Sequence, residues 1–363
     1  MLEQCNIWKP WTKEFLDNKK FPLGFQWHIT DNCDQRCKHC YIFHGKNKEL
    51  NEMSWENIQK VFDNVLSSCE KINRTPTFAI TGGDPLLHKN FWDLVKLIKK
   101  NKITFIILGN PFHLTDEVAE QLKDSGCASY QMSLDGLKET HDWFRKPGSY
   151  DATFEALKCL NRNNLMSVIM STISDKNIDE IPLLIDEVAW KARRFNFSRY
   201  VPVYEDESNN ITPEKYRSFL ETVQERYNFY RDVGCTTEFK YKDHLWNLYH
   251  YEIGKYKFAD DIEDDDDTIY SGCHCGIGHM TILPNGNLLA CRRMNNSIVG
   301  NALTDDISEV WLGDKMNYYR DYSKFEKCKD CKLLQVCRGC PAVACGTNGS
   351  FYSPDPQCWR VNE

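Results

Sequence analysis

Short apolar runs alternate with helix-like segments through the first half of the chain. The apolar runs predict strands at residues 25–29, 77–81, 104–108, 129–134, 167–173 and 195–203. Between them, apolar residues recur at helical spacing and predict helices at residues 53–72, 91–100, 115–126, 151–163 and 178–191. Strands and helices in this order are typical of an α/β fold in which helices wrap a parallel sheet.

The pattern changes after this α/β region. A helical stretch runs from Pro213 to about Asp232, and residues 233–272 lack the alternation. The acidic run at residues 260–267 is interpreted as a solvated linker, with a cation site as the alternative. Further on, apolar runs flank residues 284–287 and predict a β-hairpin. The chain therefore divides into an N-terminal segment, an α/β unit, a bridging region and a C-terminal domain, at residues 1–24, 25–232, 233–272 and 273–363.

The composition is that of a soluble globular protein, with 41% hydrophobic and 27% charged residues. No apolar run approaches the length of about 18 residues that a membrane span needs. The first ten residues lack the basic and apolar regions of a signal peptide, so we expect a cytoplasmic protein without a membrane partner. The formal net charge of -7 disfavours nucleic acid as a partner.

Cysteine is the unusual feature, with 17 residues in the chain. An odd number without an export signal argues against a disulfide framework. Three cysteines form the motif Cys33-x3-Cys37-x2-Cys40, and nine lie from Cys273 onward. Such short spacing lets thiolates converge on zinc or on an iron–sulfur cluster. For zinc, the first motif would need a fourth ligand from His28, His39 or His44.

The first cysteine motif, placed directly after the first strand, resembles that of the radical S-adenosylmethionine (SAM) enzymes. In that family the motif follows the first strand of a partial (β/α)6 TIM-type barrel. It holds a 4Fe-4S cluster whose open iron is chelated by SAM. The resemblance implies such a barrel at residues 25–232 and assigns Cys33, Cys37 and Cys40 as catalytic cluster ligands. His39 stands where relatives carry an aromatic or apolar residue near the adenine.

A second motif follows the second strand. Gly82-Gly83-Asp84, followed by proline, resembles the family's GGEP segment, whose backbone receives the SAM amino group. We interpret the two glycines as allowing the backbone to approach the ligand closely. Asn110 occupies the strand end where relatives carry Thr-Asn-Gly. The resemblance implies that these four residues bind SAM.

Two further segments carry the resemblance to the fourth strand. Ser133 and Asp135 belong to a segment similar to the family's S-I/L-D-G, which commonly contacts SAM. Arg145 ends a segment similar to HDxxR, whose arginine can pair with the SAM carboxylate. These three residues complete the expected set of SAM contacts.

The C-terminal cysteines resemble the SPASM extension of the same family, in which two auxiliary 4Fe-4S clusters are ligated in an interleaved order. The resemblance assigns the second auxiliary cluster to Cys328, Cys331, Cys337 and Cys358. It assigns the first to Cys273, Cys275, Cys291 and Cys340. Cys345 competes with Cys340, and one of the two upstream cysteines could be spare, which would leave an open iron. Two structural zinc sites are the alternative.

The resemblance implies an enzyme with SAM and three 4Fe-4S clusters. In this family SAM is cleaved reductively to a 5′-deoxyadenosyl radical, which abstracts hydrogen from an unactivated C–H bond. SPASM enzymes most often act on peptides or small proteins. The leading hypothesis is therefore a maturase of a ribosomally synthesised peptide, forming a thioether or other crosslink or an epimerised residue.

The same resemblance suggests further partners. An electron donor such as flavodoxin or ferredoxin is expected. About 24 residues precede the first strand, too few for a peptide-recognition domain, so leader binding would need a separate protein or the barrel mouth.

Three other functions stay open. An anaerobic sulfatase-maturing enzyme, which makes formylglycine, is disfavoured because relatives carry an acidic residue where Arg292 stands. Some SPASM relatives act on small molecules such as sugars or amino acids. A structural zinc protein or an electron-transfer protein would leave the GGDP and SLDG segments unexplained.

Overall fold

The computed structural model describes residues 21–43, 50–202, 210–256 and 269–360. The predicted acidic run at residues 260–267 lies outside the described residues, as do Cys5 and most of the N-terminal segment. Within the described part of the chain, none of the helices has both the length and the apolar character that a membrane crossing requires.

The described strands form one sheet in the order β10-β9-β8-β1-β2-β3-β4-β5-β6-β7. Their bounds are β1 Phe21–His28, β2 Arg74–Thr81, β3 Phe105–Leu108, β4 Cys127–Ser133, β5 Ser167–Ile173, β6 Arg194–Arg199, β7 Glu238–Phe239, β8 His279–Ile282, β9 Asn287–Leu289 and β10 Ile298–Asn301. Strands β1 to β7 pair in parallel with their neighbours in chain order. The predicted parallel α/β architecture is therefore confirmed.

Helices connect the parallel strands and continue into the C-terminal region. Their bounds are α1 Trp55–Lys71, α2 Phe91–Lys100, α3 Asp116–Asp124, α4 Lys138–Phe144, α5 Ser149–Arg162, α6 Ile181–Val188, α7 Pro213–Asp232, α8 Leu245–Glu252, α9 Ile307–Leu312, α10 Asp314–Asn317 and α11 Pro341–Asn348. The side chain of Ser54 caps α1 by accepting a hydrogen bond from the Asn57 N–H. Thr115 caps α3 in the same way.

Aromatic packing holds α1 against the sheet. The ring of Phe78 on β2 lies 5.4 Å from Trp27 on β1 and 5.9 Å from Phe62 on α1. All three side chains are buried. Burying each large apolar side chain contributes roughly 1.5–3 kcal/mol, so this layer anchors the strand from which the first cysteine loop departs.

Two elements lie in the bridging region where the sequence showed no alternation. Strand β7 adds a parallel neighbour to β6, and α8 follows it. With two residues, β7 is too short to produce a periodic signal. Two predicted elements are shorter in the structure. The strand predicted at residues 195–203 ends at Arg199, and the helix predicted from residue 178 begins with a 3-10 turn before α6.

The predicted hairpin is present, but it does not form a sheet of its own. Strands β8 and β9 are antiparallel, as expected. Strand β8 also pairs in parallel with β1, from Gly24 opposite His279 to Trp27 opposite Ile282. The pairing crosses the predicted domain boundary, so the cysteines that flank the hairpin are held against the α/β unit.

The buried His250 on α8 provides a test of this packing. Its Nε2 lies 3.0 Å from the Gln224 side-chain oxygen on α7, and burial lowers its pKa to about 3. In the unfolded chain the His250 imidazole is protonated below about pH 6.5, whereas in the folded chain it stays neutral to a much lower pH. The free energy of unfolding therefore falls as the pH drops below about 6.5.

We predict that the His250→Gln variant loses less stability between pH 7 and pH 5 than the wild type, by roughly 2 kcal/mol at most. Urea midpoints at the two pH values measure this difference. Substituting the half-exposed His113 by glutamine is the control, and equal pH dependence in all three proteins would contradict the prediction.

Candidate functional site

A cavity of about 760 Å³ brings the two groups of cysteines together. One part of its wall is formed by Cys33, Cys37 and Cys40, and another by Cys273, Cys275 and Cys291. The volume lies within the range of about 300–1,000 Å³ that is usual for ligand pockets. A ligand in this cavity would therefore contact the α/β unit and the C-terminal region at once.

Each sulfur of the first motif accepts a hydrogen bond within the loop after β1 or from the cavity wall. The Cys33 Sγ accepts from the Gln35 N–H at 3.4 Å, and the Cys40 Sγ accepts from the Ile42 N–H at the same distance. The Arg145 Nη1 lies 3.7 Å from the Cys37 Sγ. Such donors stabilise thiolates that ligate metal, so the loop fits a cluster with three cysteine ligands.

Gly82 and Gly83 follow β2 and pass directly behind the cysteine loop. A Cβ on Gly82 would lie 2.2 Å from the Thr30 carbonyl oxygen, and one on Gly83 would lie 2.1 Å from that of Asn32. Our interpretation that these glycines are needed for approach to a ligand is therefore incomplete. Their first requirement is contact with the chain's own backbone, although both also line the cavity.

Asp84 lies behind the cavity wall. Its side chain is fully buried, and its Oδ1 accepts from the Leu86 N–H at 3.1 Å. Its Oδ2 has no hydrogen-bond partner among the described residues, and burial raises its pKa to about 7. A SAM contact through the Asp84 backbone stays a prediction.

Of the remaining residues expected to contact SAM, Asn110, Ser133 and Arg145 line the cavity. Asp135 does not, because its side chain is completely buried and both oxygens are occupied. One accepts from the Arg145 Nε at 2.5 Å and the other from the Thr172 N–H at 2.9 Å. Asp135 therefore positions Arg145, and the structure does not support a direct SAM contact from its carboxylate.

The electrostatics of this pair are those of a buried ion pair. Burial alone would raise the pKa of Asp135, but the adjacent guanidinium of Arg145 lowers it to about 2. His39 completes the group, with its Nε2 3.3 Å from the Arg145 Nη2. Burial lowers the pKa of His39 to about 4, so it is neutral at pH 7. His39, which stands where relatives carry an aromatic or apolar residue, therefore contacts the Arg145 side chain.

Of the four cysteines that the resemblance assigns to the first auxiliary cluster, Cys273, Cys275 and Cys291 line the cavity. Burial, reinforced by the neighbouring Cys340 and Cys291 thiolates, raises the pKa of Cys273 to about 12. Burial and the same group raise the pKa of Cys275. Burial raises the pKa of Cys345, and Cys291 is the one cysteine that contributes to this shift. The choice between Cys340 and Cys345 as the fourth member stays a prediction.

The second auxiliary set also converges. Cys328, Cys331, Cys337 and Cys358 line one small cavity, although up to 30 residues separate them in the chain. The Lys327 Nζ lies 3.5 Å from the Cys358 Sγ, which supplies positive charge beside the thiolates.

The spacing of the thiols bears on the zinc alternative. Four thiolates around one zinc ion, with Zn–S near 2.3 Å, lie about 4 Å apart. Among the described residues, the only His, Cys, Asp or Glu group whose ligand atoms all lie within 4.8 Å of one another is Asp34, Asp84 and His113, with no cysteine in it. Among the described residues no three cysteine sulfurs are that close together, so the structure does not favour a single zinc ion at either cysteine set.

A buried arginine ties Asp355, which lines the small cavity of the second auxiliary set, to the sheet. Arg199, at the end of β6, donates to both carboxylate oxygens of Asp355, at 2.6 and 2.8 Å. Its Nε donates to Asp243 at 3.0 Å. Asp355 in turn accepts from the Cys340 N–H at 2.7 Å. A Cβ on Gly339 would lie 2.5 Å from this carboxylate, so only glycine permits the approach.

Sequence reasoning missed a set of cavity residues contributed by β1, the bridging region, and the hairpin with its flanking segments. These are Gln26, Lys242, His244, His274, His279 and Arg293. None belongs to a motif with fixed spacing. A lysine directly before a buried helix was the one available signal, and it is too common to identify a site.

Sequence comparison agrees with this geometry. The Radical SAM superfamily profile matches residues 27–188. The SPASM profile, described as an iron-sulfur cluster-binding domain, matches residues 273–341. The chain is a radical SAM/SPASM enzyme. Its cofactors are SAM and iron–sulfur clusters.

Relatives that match more than 90% of this radical SAM/SPASM enzyme are named for different functions. It is 25% identical to Fe-coproporphyrin III synthase of Methanosarcina barkeri, over 96% of this chain and 93% of the relative. It is 24% identical to the mycofactocin maturase MftC of Mycolicibacterium smegmatis, over 93% and 82%. The structure of Streptococcus suis SuiB bound to precursor peptide SuiA matches with a TM-score of 0.73 and 20% identity, over 96% of this chain and 78% of SuiB. This last likeness concerns the fold.

Cys340 and Cys345 allow a matched test in this radical SAM/SPASM enzyme. We predict that Cys340→Ala lowers the iron content of the reconstituted protein by up to about four atoms, because a cluster loses a ligand. Cys345→Ala should leave it unchanged. Iron analysis and the charge-transfer absorbance measure both variants, and loss of iron from Cys345→Ala alone would reverse the assignment.

Arg199 provides a second test. The Arg199→Met variant leaves Asp243 and Asp355 buried without their cation, so we expect a loss of stability of roughly 3–5 kcal/mol. Chemical denaturation of the anaerobic holoprotein measures this loss. Arg194→Met removes a solvent-exposed pair with Glu238 and serves as the control, with an expected loss of at most about 1 kcal/mol. Equal losses in the two variants would contradict the role of Arg199.

Proposed function

We propose that this radical SAM/SPASM enzyme modifies a peptide bound between its first cysteine motif and its first auxiliary cysteine set. The observation that carries the proposal is the single cavity lined by both groups. A substrate there would lie beside the SAM-binding end and within reach of Cys273, Cys275 and Cys291. The bond formed would be a thioether or other crosslink, or the product an epimerised residue.

When bound, the reduced cluster and SAM supply a 5′-deoxyadenosyl radical for hydrogen abstraction. The residues of the chain orient the reactants and exclude water. Arg145, held by Asp135, presents a fixed cation to the SAM end of the cavity. Asn110 is held in turn, because its backbone oxygen accepts from the buried Tyr130 hydroxyl at 2.9 Å. Preorganised polar groups of this kind fix a ligand without rearrangement.

The names of the relatives support a peptide substrate. One relative that matches nearly the whole chain is the maturase MftC. SuiB, which shares the fold, is described in complex with its precursor peptide SuiA. The proposal includes an electron donor such as flavodoxin or ferredoxin and a cytoplasmic location.

A tetrapyrrole is the second candidate substrate. The full-length relative from Methanosarcina barkeri is named Fe-coproporphyrin III synthase. The cavity also favours an anionic ligand, because four cationic side chains line it: Arg145, Lys242, Arg292 and Arg293. Propionate-bearing tetrapyrroles have the matching charge.

Anaerobic reconstitution tests the chemistry. We predict about twelve irons in three clusters and release of 5′-deoxyadenosine from SAM after reduction. The triple variant Cys33→Ala, Cys37→Ala, Cys40→Ala should release none and keep about eight irons in the auxiliary clusters. Cys235→Ala, a cysteine outside every set, is the control. Absence of SAM cleavage by the wild type, or zinc in place of iron, would overturn the proposal.

A separate experiment identifies the substrate class. Peptides encoded by short reading frames beside the gene, and coproporphyrin III with and without iron, are incubated with the enzyme, SAM and reductant. A crosslink appears as the loss of two hydrogens from the peptide mass. Epimerisation appears only as deuterium incorporation in heavy water. A mass change confined to the porphyrin would replace the peptide proposal with the tetrapyrrole one.

A further inference from the structure

Four cationic side chains line the cavity wall. Among its described lining residues, Asp243 is the only carboxylate. Asp243 is already engaged, since its Oδ2 accepts from the Arg199 Nε at 3.0 Å and its Oδ1 accepts from the Leu245 N–H at 3.1 Å. It therefore does not neutralise the cations that face the cavity.

Two of the four cationic side chains that line the cavity already interact with other groups of the protein. Arg145 pairs with Asp135. Arg293 donates to the Cys340 Sγ and to the Arg199 carbonyl oxygen, each at 3.3 Å. Its charge thus faces a thiolate that would ligate the first auxiliary cluster. The remaining two cations are Lys242 and Arg292.

Lys242 has no anionic partner among the described residues. Its Nζ contacts the Met170 Sδ at 3.8 Å, and a thioether is only a weak acceptor. The side chain is exposed and lines the cavity. An ammonium that faces a cavity without a counter-ion favours an incoming anion.

Arg292 also lacks an anionic partner among the described residues. Its guanidinium lies 3.9 Å from the ring centroid of Tyr41, the residue after Cys40. Its Nη1 donates to the Asn295 Oδ1 at 3.0 Å, whereas its Nε is buried without a partner among the described residues. No carboxylate in the described part of the chain lies within 4.0 Å of it. Stacking on Tyr41 holds the guanidinium rigidly while donors stay unfilled.

We propose that Lys242 and Arg292 bind a carboxylate group of the substrate. This subsite deepens the proposed function and rests on it, because it takes the cavity to be the substrate site. A peptide would supply the carboxylate from its C-terminus or an acidic side chain, and a tetrapyrrole from a propionate. The shared chemistry is a charge-assisted contact to a carboxylate, which Arg292 would make beside Tyr41.

Equilibrium binding to the anaerobic holoprotein, without reductant, tests the subsite apart from catalysis. The first probe pair is coproporphyrin III and its uncharged tetramethyl ester, followed by porphyrin fluorescence. The second pair is an alanine–glycine decapeptide with a free C-terminal carboxylate and the same peptide as its amide, each labelled with a neutral dye and followed by anisotropy. The proteins compared are the wild type, Lys242→Met, Arg292→Met, Arg292→Lys and Lys158→Met.

We expect the acid of at least one pair to bind the wild type at least tenfold more tightly than its neutral counterpart. Lys242→Met and Arg292→Met should remove most of that preference, and Arg292→Lys should keep part of it. Lys158→Met changes an exposed lysine on α5, outside the cavity, and should match the wild type. The pair that shows the preference identifies the source of the carboxylate.

Equal binding of acid and neutral probes in both pairs, or a preference that survives both methionine substitutions, would overturn the subsite. So would weaker SAM binding in Lys242→Met and Arg292→Met with unchanged probe binding, because the cations would then hold the carboxylate of SAM. Failure of the proposed function has a different signature, the absence of 5′-deoxyadenosine from reduced wild-type enzyme.

Discussion

The buried guanidinium of Arg199 connects the two halves of the chain on which the cavity depends. It sits at the end of β6 and pairs with Asp243 from the bridging region and with Asp355 near the C-terminus. Both carboxylates are almost completely buried, so their desolvation is offset only while the arginine stays between them. Because Asp355 also accepts from the Cys340 backbone, one ion cluster positions ligand candidates of both auxiliary sets around the sheet.

The second connection is the sheet itself. Strand β8 pairs with β1, whose end leads into the first cysteine loop, and Cys275 and Cys291 flank the hairpin that begins with β8. Parallel strand pairing fixes the distance and direction of these segments through backbone hydrogen bonds. The first motif and the first auxiliary set therefore face a common cavity. In the proposed function, substrate, SAM and the auxiliary thiolates share this cavity.

Much of the architecture was predictable because it depends on local signals. Amphipathic spacing located α1 and α2, and the Thr115 cap located the start of α3, within a residue or two. Strand β7 was not predictable, since two residues contain no period. The role of Asp135 was also beyond the sequence. A motif indicates that an aspartate stands near SAM, but only the packing reveals that Arg145 and a backbone N–H occupy its oxygens.

The sequence by itself placed the cysteines in two groups whose spacing allows zinc or an iron–sulfur cluster, and the resemblance of their motifs to radical SAM and SPASM enzymes implied the cofactors. It also determined the parallel α/β class through apolar periodicity. The tertiary structure alone decided that Lys242 and Arg292 face the same cavity as Cys33, Cys37 and Cys40. The physical reason is that these groups are brought together by strand pairing and buried charge across distant parts of the chain, and residue order does not encode such contacts in any local pattern.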